Sequence, residues 1–315
     1  MRHLLPGSRP RALGTAVLLL GALLSSGCLS LKPYREIRRE VPAERFVTVG
    51  DQAVYVEQQG SGPPLVLLHG YGESAYTWRK VVPALSTRYR TIAIDLNGFG
   101  WTERPEDAVA YSRDGQLKMV AGVLDTLGVE SAVFAGHSYG GALSLWMAAL
   151  HPERVSALVL IDSAAPTYPD AKKSRVARIR PLARLALPLA LSVSSIQRSL
   201  RRAFYDDRLA TEELAAAYRE RLAIEGVLDA YMHLSAPPPS PGPSIDLASV
   251  RQPVLLIWGR EDRSVPAAEA QETAARLPRA RFVDIPECGH VPIEECPEEM
   301  LEVLLPFLAD PETLP

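Results

Sequence analysis

The chain has 315 residues, 47% of them hydrophobic and 23% charged, enough to bury one large core without requiring a second domain. A net charge of −3 gives no electrostatic footprint for nucleic acid. There is no P-loop, dinucleotide-type glycine pattern, zinc-spaced Cys/His set or internal repeat, so no cofactor or metal is implied.

At the N-terminus Arg2, Arg9 and Arg11 precede the apolar run from Leu13 to Leu24, followed by Ser25-Ser26-Gly27-Cys28. A charged segment, a short apolar segment and small residues read as an export signal over 1–27, too short to span a bilayer comfortably. It resembles a bacterial lipoprotein signal, although Ser25 stands where such signals usually carry an aliphatic residue. The resemblance implies lipidation at Cys28 and a place in the cell envelope, with an uncleaved anchor or simple secretion as alternatives. Residues 28–45 are expected to be a charged, largely exposed tether.

Two opening strands are predicted near 46–50 and 53–59. Strands near 64–68, 90–94, 132–136, 156–161, 253–258 and 280–285 read as apolar throughout, as sheets covered on both faces require. Helices are predicted near 75–86, 112–127, 140–150, 266–277 and 297–309. In the second of these Leu117, Val120, Leu124 and Leu127 share a face.

About 90 residues separate strands 156–161 and 253–258, far more than a crossover needs. They are expected to build a helical lid over 166–247, between a first core part, 46–165, and a second, 248–315. Arg175, Arg178, Arg180 and Arg184 interleave with apolar residues, Thr211 reads as a helix cap, and 237–243 as a stiff proline linker. The basic face would suit an anionic membrane surface, or would simply be solvated.

The chemistry centres on Gly136-His137-Ser138-Tyr139-Gly140, directly after the apolar run 132–135 and directly before an Ala/Leu-rich helix. Strand, Gly-x-Ser-x-Gly and helix together point to a nucleophilic serine at a sharp turn, Ser138. Such a serine needs a base, and the base needs an orienting acid. Of the six histidines, His3 lies in the signal, His137 is expected to point away within the turn, His151 ends a helix, and His233 falls in the lid. His69 reads as structural. His290, in a loop just past strand 280–285, is the candidate base. Asp262, after strand 253–258, is the candidate acid, with Asp162 after strand 156–161 as its rival. The backbone N–H groups of Tyr71 and Tyr139 are the expected oxyanion donors.

With these pieces in this order the chain resembles the α/β-hydrolase superfamily, in its lidded serine-hydrolase branch. Asp95-Leu96-Asn97-Gly98-Phe99-Gly100-Trp101-Thr102 resembles a characteristic family loop, with Thr102 where serine is usual. Gly289-His290-Val291-Pro292 resembles the family's histidine loop. The resemblance implies a mostly parallel eight-stranded sheet flanked by helices, with the lid inserted between strands 6 and 7. It further implies a serine hydrolase acting on a small-molecule ester or related acyl substrate, and a lid facing a membrane would admit a lipophilic one. Carbon–carbon bond hydrolysis and haloperoxidase-like chemistry are the alternatives on the same residues, and a non-catalytic surface binding protein a remote one. The aspartate-nucleophile branches, epoxide hydrolases and haloalkane dehalogenases, are excluded by Ser138. Cys288 and Cys296 could pair in an exported protein, but nothing in their spacing demands it, and two free thiols are expected.

Overall fold

A computed structural model describes residues 31–164, 187, 189–235, 237, 238 and 245–312. The signal, Cys28, the lid arginines and most of the proline linker lie outside the described residues. Among those described, no helix is long and apolar enough to cross a membrane.

Eight strands form one sheet: β1 (Phe46–Val49), β2 (Gln52–Gln59), β3 (Pro64–Leu68), β4 (Arg90–Ile94), β5 (Ala132–His137), β6 (Val155–Ile161), β7 (Val254–Gly259) and β8 (Ala280–Ile285). Their order is β1-β2-β4-β3-β5-β6-β7-β8. The β1/β2 and β2/β4 pairs are antiparallel, and every later pair is parallel. The central strands are buried on both faces, which explains their unbroken apolar sequences. One hydrophobic cluster lies on each side of the sheet. β8 is the exception to the expected apolar pattern. It is an edge strand with Arg281 exposed and Phe282, Val283 and Asp284 half-buried.

Among the described residues the helices, in chain order, are α1 (Tyr34–Glu40), α2 (Val82–Leu85), α3 (Arg113–Thr126), α4 (Tyr139–Leu150), α5 (Val193–Ala203), α6 (Glu212–Leu222), α7 (Val227–Ser235), α8 (Ala267–Arg276), α9 (Pro292–Glu295) and α10 (Pro297–Ala309). α3 starts on Ser112, whose hydroxyl accepts the Gly115 N–H, and buries Leu117, Val120 and Leu124. The single helix expected over 75–86 is instead a 3-10 segment, Ala75–Lys80, followed by α2. Pro83 lacks the N–H that a continuous helix would use.

Between β6 and β7 the described residues form α5, α6 and α7. Thr211 caps α6 by accepting the Leu214 N–H at 3.1 Å. Leu200, Leu214 and Leu222 turn inward and join the cluster on the α3 side of the sheet.

The expected exposed tether is corrected over residues 31–45. Its helix α1 buries Ile37 in the second cluster. Lys32 adds backbone hydrogen bonds to the lid, its N–H to Ala223 O and its carbonyl from Glu225 N–H. The charges of this segment stay largely outside while Ile37, Val41 and the backbone attach it.

The Asp95 loop is a structural knot. Asp95 accepts the N–H groups of Ala75 at 2.6 Å and Trp101 at 2.7 Å. Thr102 donates its hydroxyl to Asp95 O and accepts the Tyr55 N–H, so threonine fulfils the role of serine here.

Candidate active site

β3 and β5 lie side by side, and the chain leaves in opposite directions from them, to β4 and to β6. In an open parallel sheet that is where the carboxyl ends gather a ligand site. Ser138 follows β5 in a left-handed conformation, φ 47° and ψ −111°, uncommon for a residue with a side chain. The turn closes because its neighbours lack side chains. A Cβ on Gly136 would lie 2.4 Å from Gly140 O, and one on Gly140 would lie 2.3 Å from Leu68 O on β3.

His290, in the loop between β8 and α9, places Nε2 3.1 Å from Ser138 Oγ. Its Nδ1 lies 2.7 Å from Asp262 Oδ2, in the loop after β7. Asp262 Oδ1 accepts the N–H groups of Ser264 and Val265 at 2.7 and 3.1 Å. Burial would push this carboxyl up, but the His290 hydrogen bond and charge outweigh burial and hold it below the usual carboxylate range. The arrangement can move a proton off the serine and stabilise the resulting imidazolium.

Asp162 also stands at this edge, fully buried and at φ 40°. Its carboxyl contacts the Gly259 N–H at 3.0 Å, and the hydrogen bond to His290 belongs to Asp262. Burial, then the neighbouring Asp262, push Asp162 well above the usual carboxylate range. Asp162, Asp262 and His290 bring possible ligand atoms within 4.8 Å of one another. Within this set His290 Nδ1 and Asp262 Oδ2 are hydrogen-bonded to each other.

On the β3 side, His69 is neutral, lowered to about 4 by burial. Its Nδ1–H donates to Gly70 O and its Nε2 accepts the Leu96 N–H, which fixes the loop carrying Tyr71. Gly70 N–H is taken by Glu73 at 2.9 Å, which leaves the next amide along, that of Tyr71, as the loop's donor. Tyr139 begins α4, directly after Ser138. Both positions suit an oxyanion.

A cavity of about 550 Å³ opens on Ser138 and His290. Leu191, Ile196, Leu200, Leu222, Val227 and Met232 from the lid form much of its wall, with Tyr218 and Tyr231. No lysine or arginine is among the described residues lining it.

Residues 63–297 match the family described as alpha/beta hydrolase fold. The chain belongs to that family. It is 31% identical over 288 residues to a 2-hydroxymuconate semialdehyde hydrolase of Pseudomonas putida, covering 89% of this chain and 96% of that one. Its structure is similar to that of a meta-cleavage product hydrolase from Pseudomonas fluorescens IP01, with a TM-score of 0.69 and 26% identity over 84% and 97% of the two chains. A membrane phospholipase A described as a bacterial virulence factor gives a TM-score of 0.67 at 27% identity, over 97% of this chain and 100% of that one.

Two features of this hydrolase were not anticipated. His137 does not point away from the site: its ring is buried, between Glu73 and the backbone of His290. Cys288 and Cys296 are paired as a disulfide, Cα atoms 6.3 Å apart, instead of being free thiols. The disulfide closes the short stretch that contains His290. An even pair of body cysteines flanking a candidate base was the available signal.

Proposed function

We propose that this protein is a serine hydrolase that cleaves a lipophilic carboxylic ester. The observation that carries the reading is His290 bridging Ser138 and Asp262 where an apolar cavity meets the sheet edge. Ser138 Oγ attacks the ester carbonyl while its proton passes to His290 Nε2. The carbonyl oxygen becomes an oxyanion held by the N–H groups of Tyr71 and Tyr139, each worth about 3 kcal/mol to the transition state. His290 then gives the proton to the leaving alcohol, and an acyl group stays on Ser138. Water, losing a proton to His290, attacks the acyl group and releases the acid as Ser138 regains its proton. Asp262 orients His290 throughout.

The wall chemistry supports a neutral, apolar acyl chain. Fully burying an ionised group without a partner is costly, and the described wall offers no cation. The likeness to a phospholipase A, an ester hydrolase, points the same way. Carbon–carbon bond hydrolysis is the second reading, favoured by the 2-hydroxymuconate semialdehyde hydrolase at 31% identity. That substrate carries a carboxylate, for which the described wall supplies no counter-charge.

Export and attachment to the bacterial envelope through Cys28 complete the proposal, supported by the charged, apolar and small-residue order of residues 1–28. A Cys28→Ser variant should be released from membranes or left unprocessed, and an intact mass without lipid would end this part of it.

The deciding experiment is fluorophosphonate labelling mapped to Ser138, followed by p-nitrophenyl esters from acetate to palmitate beside 2-hydroxymuconate semialdehyde. The proposal expects labelling and faster turnover of medium or long acyl esters. Turnover of the semialdehyde alone would transfer the assignment to the second reading.

A further inference from the structure

The ring of His137 is completely buried, and each of its nitrogens faces an oxygen. Nδ1 lies 3.0 Å from Glu73 Oε2, and Nε2 lies 2.7 Å from the backbone carbonyl of His290. A carbonyl only accepts, so Nε2 must carry hydrogen. Glu73 Oε2 also takes the Gly70 N–H, so the same oxygen already serves as an acceptor. A ring flanked by acceptors on both sides is satisfied with hydrogen on both nitrogens.

We propose that Glu73 and His137 form a buried carboxylate–imidazolium pair that positions His290 and the oxyanion loop about one protonated ring. The inference deepens the serine-hydrolase reading and rests on it for its kinetic part. The His290 peptide is gripped from two sides, its N–H donating to Ala203 O of α5 at 2.8 Å and its carbonyl accepting from His137. The side chain therefore extends from a fixed backbone toward Ser138. Across the ring, Glu73 belongs to the loop of Tyr71. By taking the Gly70 N–H it leaves the Tyr71 amide for the substrate oxygen.

One pair thus ties the end of β5 to the loops that follow β3 and β8. The fit leaves no room for a side chain at residue 70, where a Cβ would lie 2.7 Å from His137 Nδ1. Pairing also settles the electrostatics. Glu73 lines the cavity, and an uncompensated carboxylate beside a developing oxyanion would oppose the reaction. With His137 protonated the unit is neutral.

The titratable groups facing the ring are Glu73, the neutral His69, His290 with its ring 5.1 Å away, and Asp262 behind it. Burial opposes charge on both partners. The charge and hydrogen bond of Glu73 nonetheless raise His137, and those of His137 lower Glu73.

The test is ¹⁵N NMR of histidine-labelled protein, with the His137 signals identified by their loss in His137→Gln. His137 should hold both ring protons at about pH 8, where an ordinary histidine is neutral. A Glu73→Gln variant keeps an oxygen for both N–H donors but loses the charge, so its His137 should give up one ring proton at a lower pH than in the wild-type protein. Its kcat should then fall roughly tenfold or more on the alkaline side, as His290 shifts, with KM little changed. A neutral His137 ring in the wild-type protein would overturn the proposal. So would a Glu73→Gln profile that is only scaled by one factor at every pH. A wild-type protein inactive on every ester would strike the functional reading instead, while the ring measurement still decides the pair.

Discussion

The carboxyls of Asp162 and Asp262 reach within 4.8 Å of each other, and only Asp262 makes the hydrogen bond to His290. Two carboxylates this close cannot both ionise cheaply. Asp262 has His290 and two backbone N–H groups to stabilise its charge. Asp162 has the Gly259 N–H and complete burial, so the proton rests on Asp162.

The two asparagine variants should therefore differ sharply. Asp262→Asn removes the charge behind His290 and is expected to lower kcat by roughly 10³–10⁴. Asp162→Asn replaces a neutral acid with a neutral amide that can still meet Gly259 and Asp262. Its kcat should stay within about fivefold of wild type, since little changes in the transition state. Steady-state kinetics on one ester decide it, and the reverse ranking would make Asp162 the orienting acid.

The same asparagine carries a stability signature. Asp162 has its folded pKa raised above the unfolded value. Between those values the native state binds more protons, so this group's contribution declines as pH rises from about 4. Asp162→Asn removes that slope. The variant should gain stability relative to wild type on going from about pH 4 to pH 8, measured by urea unfolding at each pH. A difference independent of pH would mean that Asp162 is not held protonated.

At the serine turn, Gly140→Ala would force a Cβ to within 2.3 Å of Leu68 O, a backbone atom of β3 that cannot swing aside. The expected cost is about 1–3 kcal/mol by chemical denaturation, with catalysis impaired as Ser138 shifts. Wild-type stability would show that β3 and α4 can separate more easily than their packing suggests.

Reducing the Cys288–Cys296 bond frees a loop of sequence separation 8. Chain entropy for so short a loop gives a loss of about 2–3 kcal/mol. Because His290 lies inside the loop, kcat should fall in Cys288→Ser/Cys296→Ser even where the fold survives. Melting curves and kinetics with and without reductant check both effects.

The strands, the Thr211 cap and the residues around Ser138 were legible because each is encoded locally, by apolar runs or a short motif. His290 and Asp262 were legible because they follow strands that end at one sheet edge. The Glu73–His137 pair spans 64 positions and joins the loop after β3 to the end of β5, so no sequence period marks it. The helix α1 escaped notice because a single isoleucine, Ile37, carries its burial amid charged neighbours. Pairing of Cys288 with Cys296 depends on the fold bringing the two Cα atoms to 6.3 Å, which a spacing of eight does not determine.

The attachment of residues 31–45 bears on how the enzyme would sit at a surface. Lys32 is stitched to the backbone of the lid, and the Tyr34 hydroxyl reaches Ala53 O on β2. A hold placed just upstream of Leu31 would therefore act on the body close to the lid, with little slack to let it tumble. The cavity mouth would have a preferred heading relative to that hold. A membrane-held form would select substrates by approach direction as well as by the shape of the cavity, and loosening α1 through Ile37→Asp would erase the first kind of selection while leaving the second.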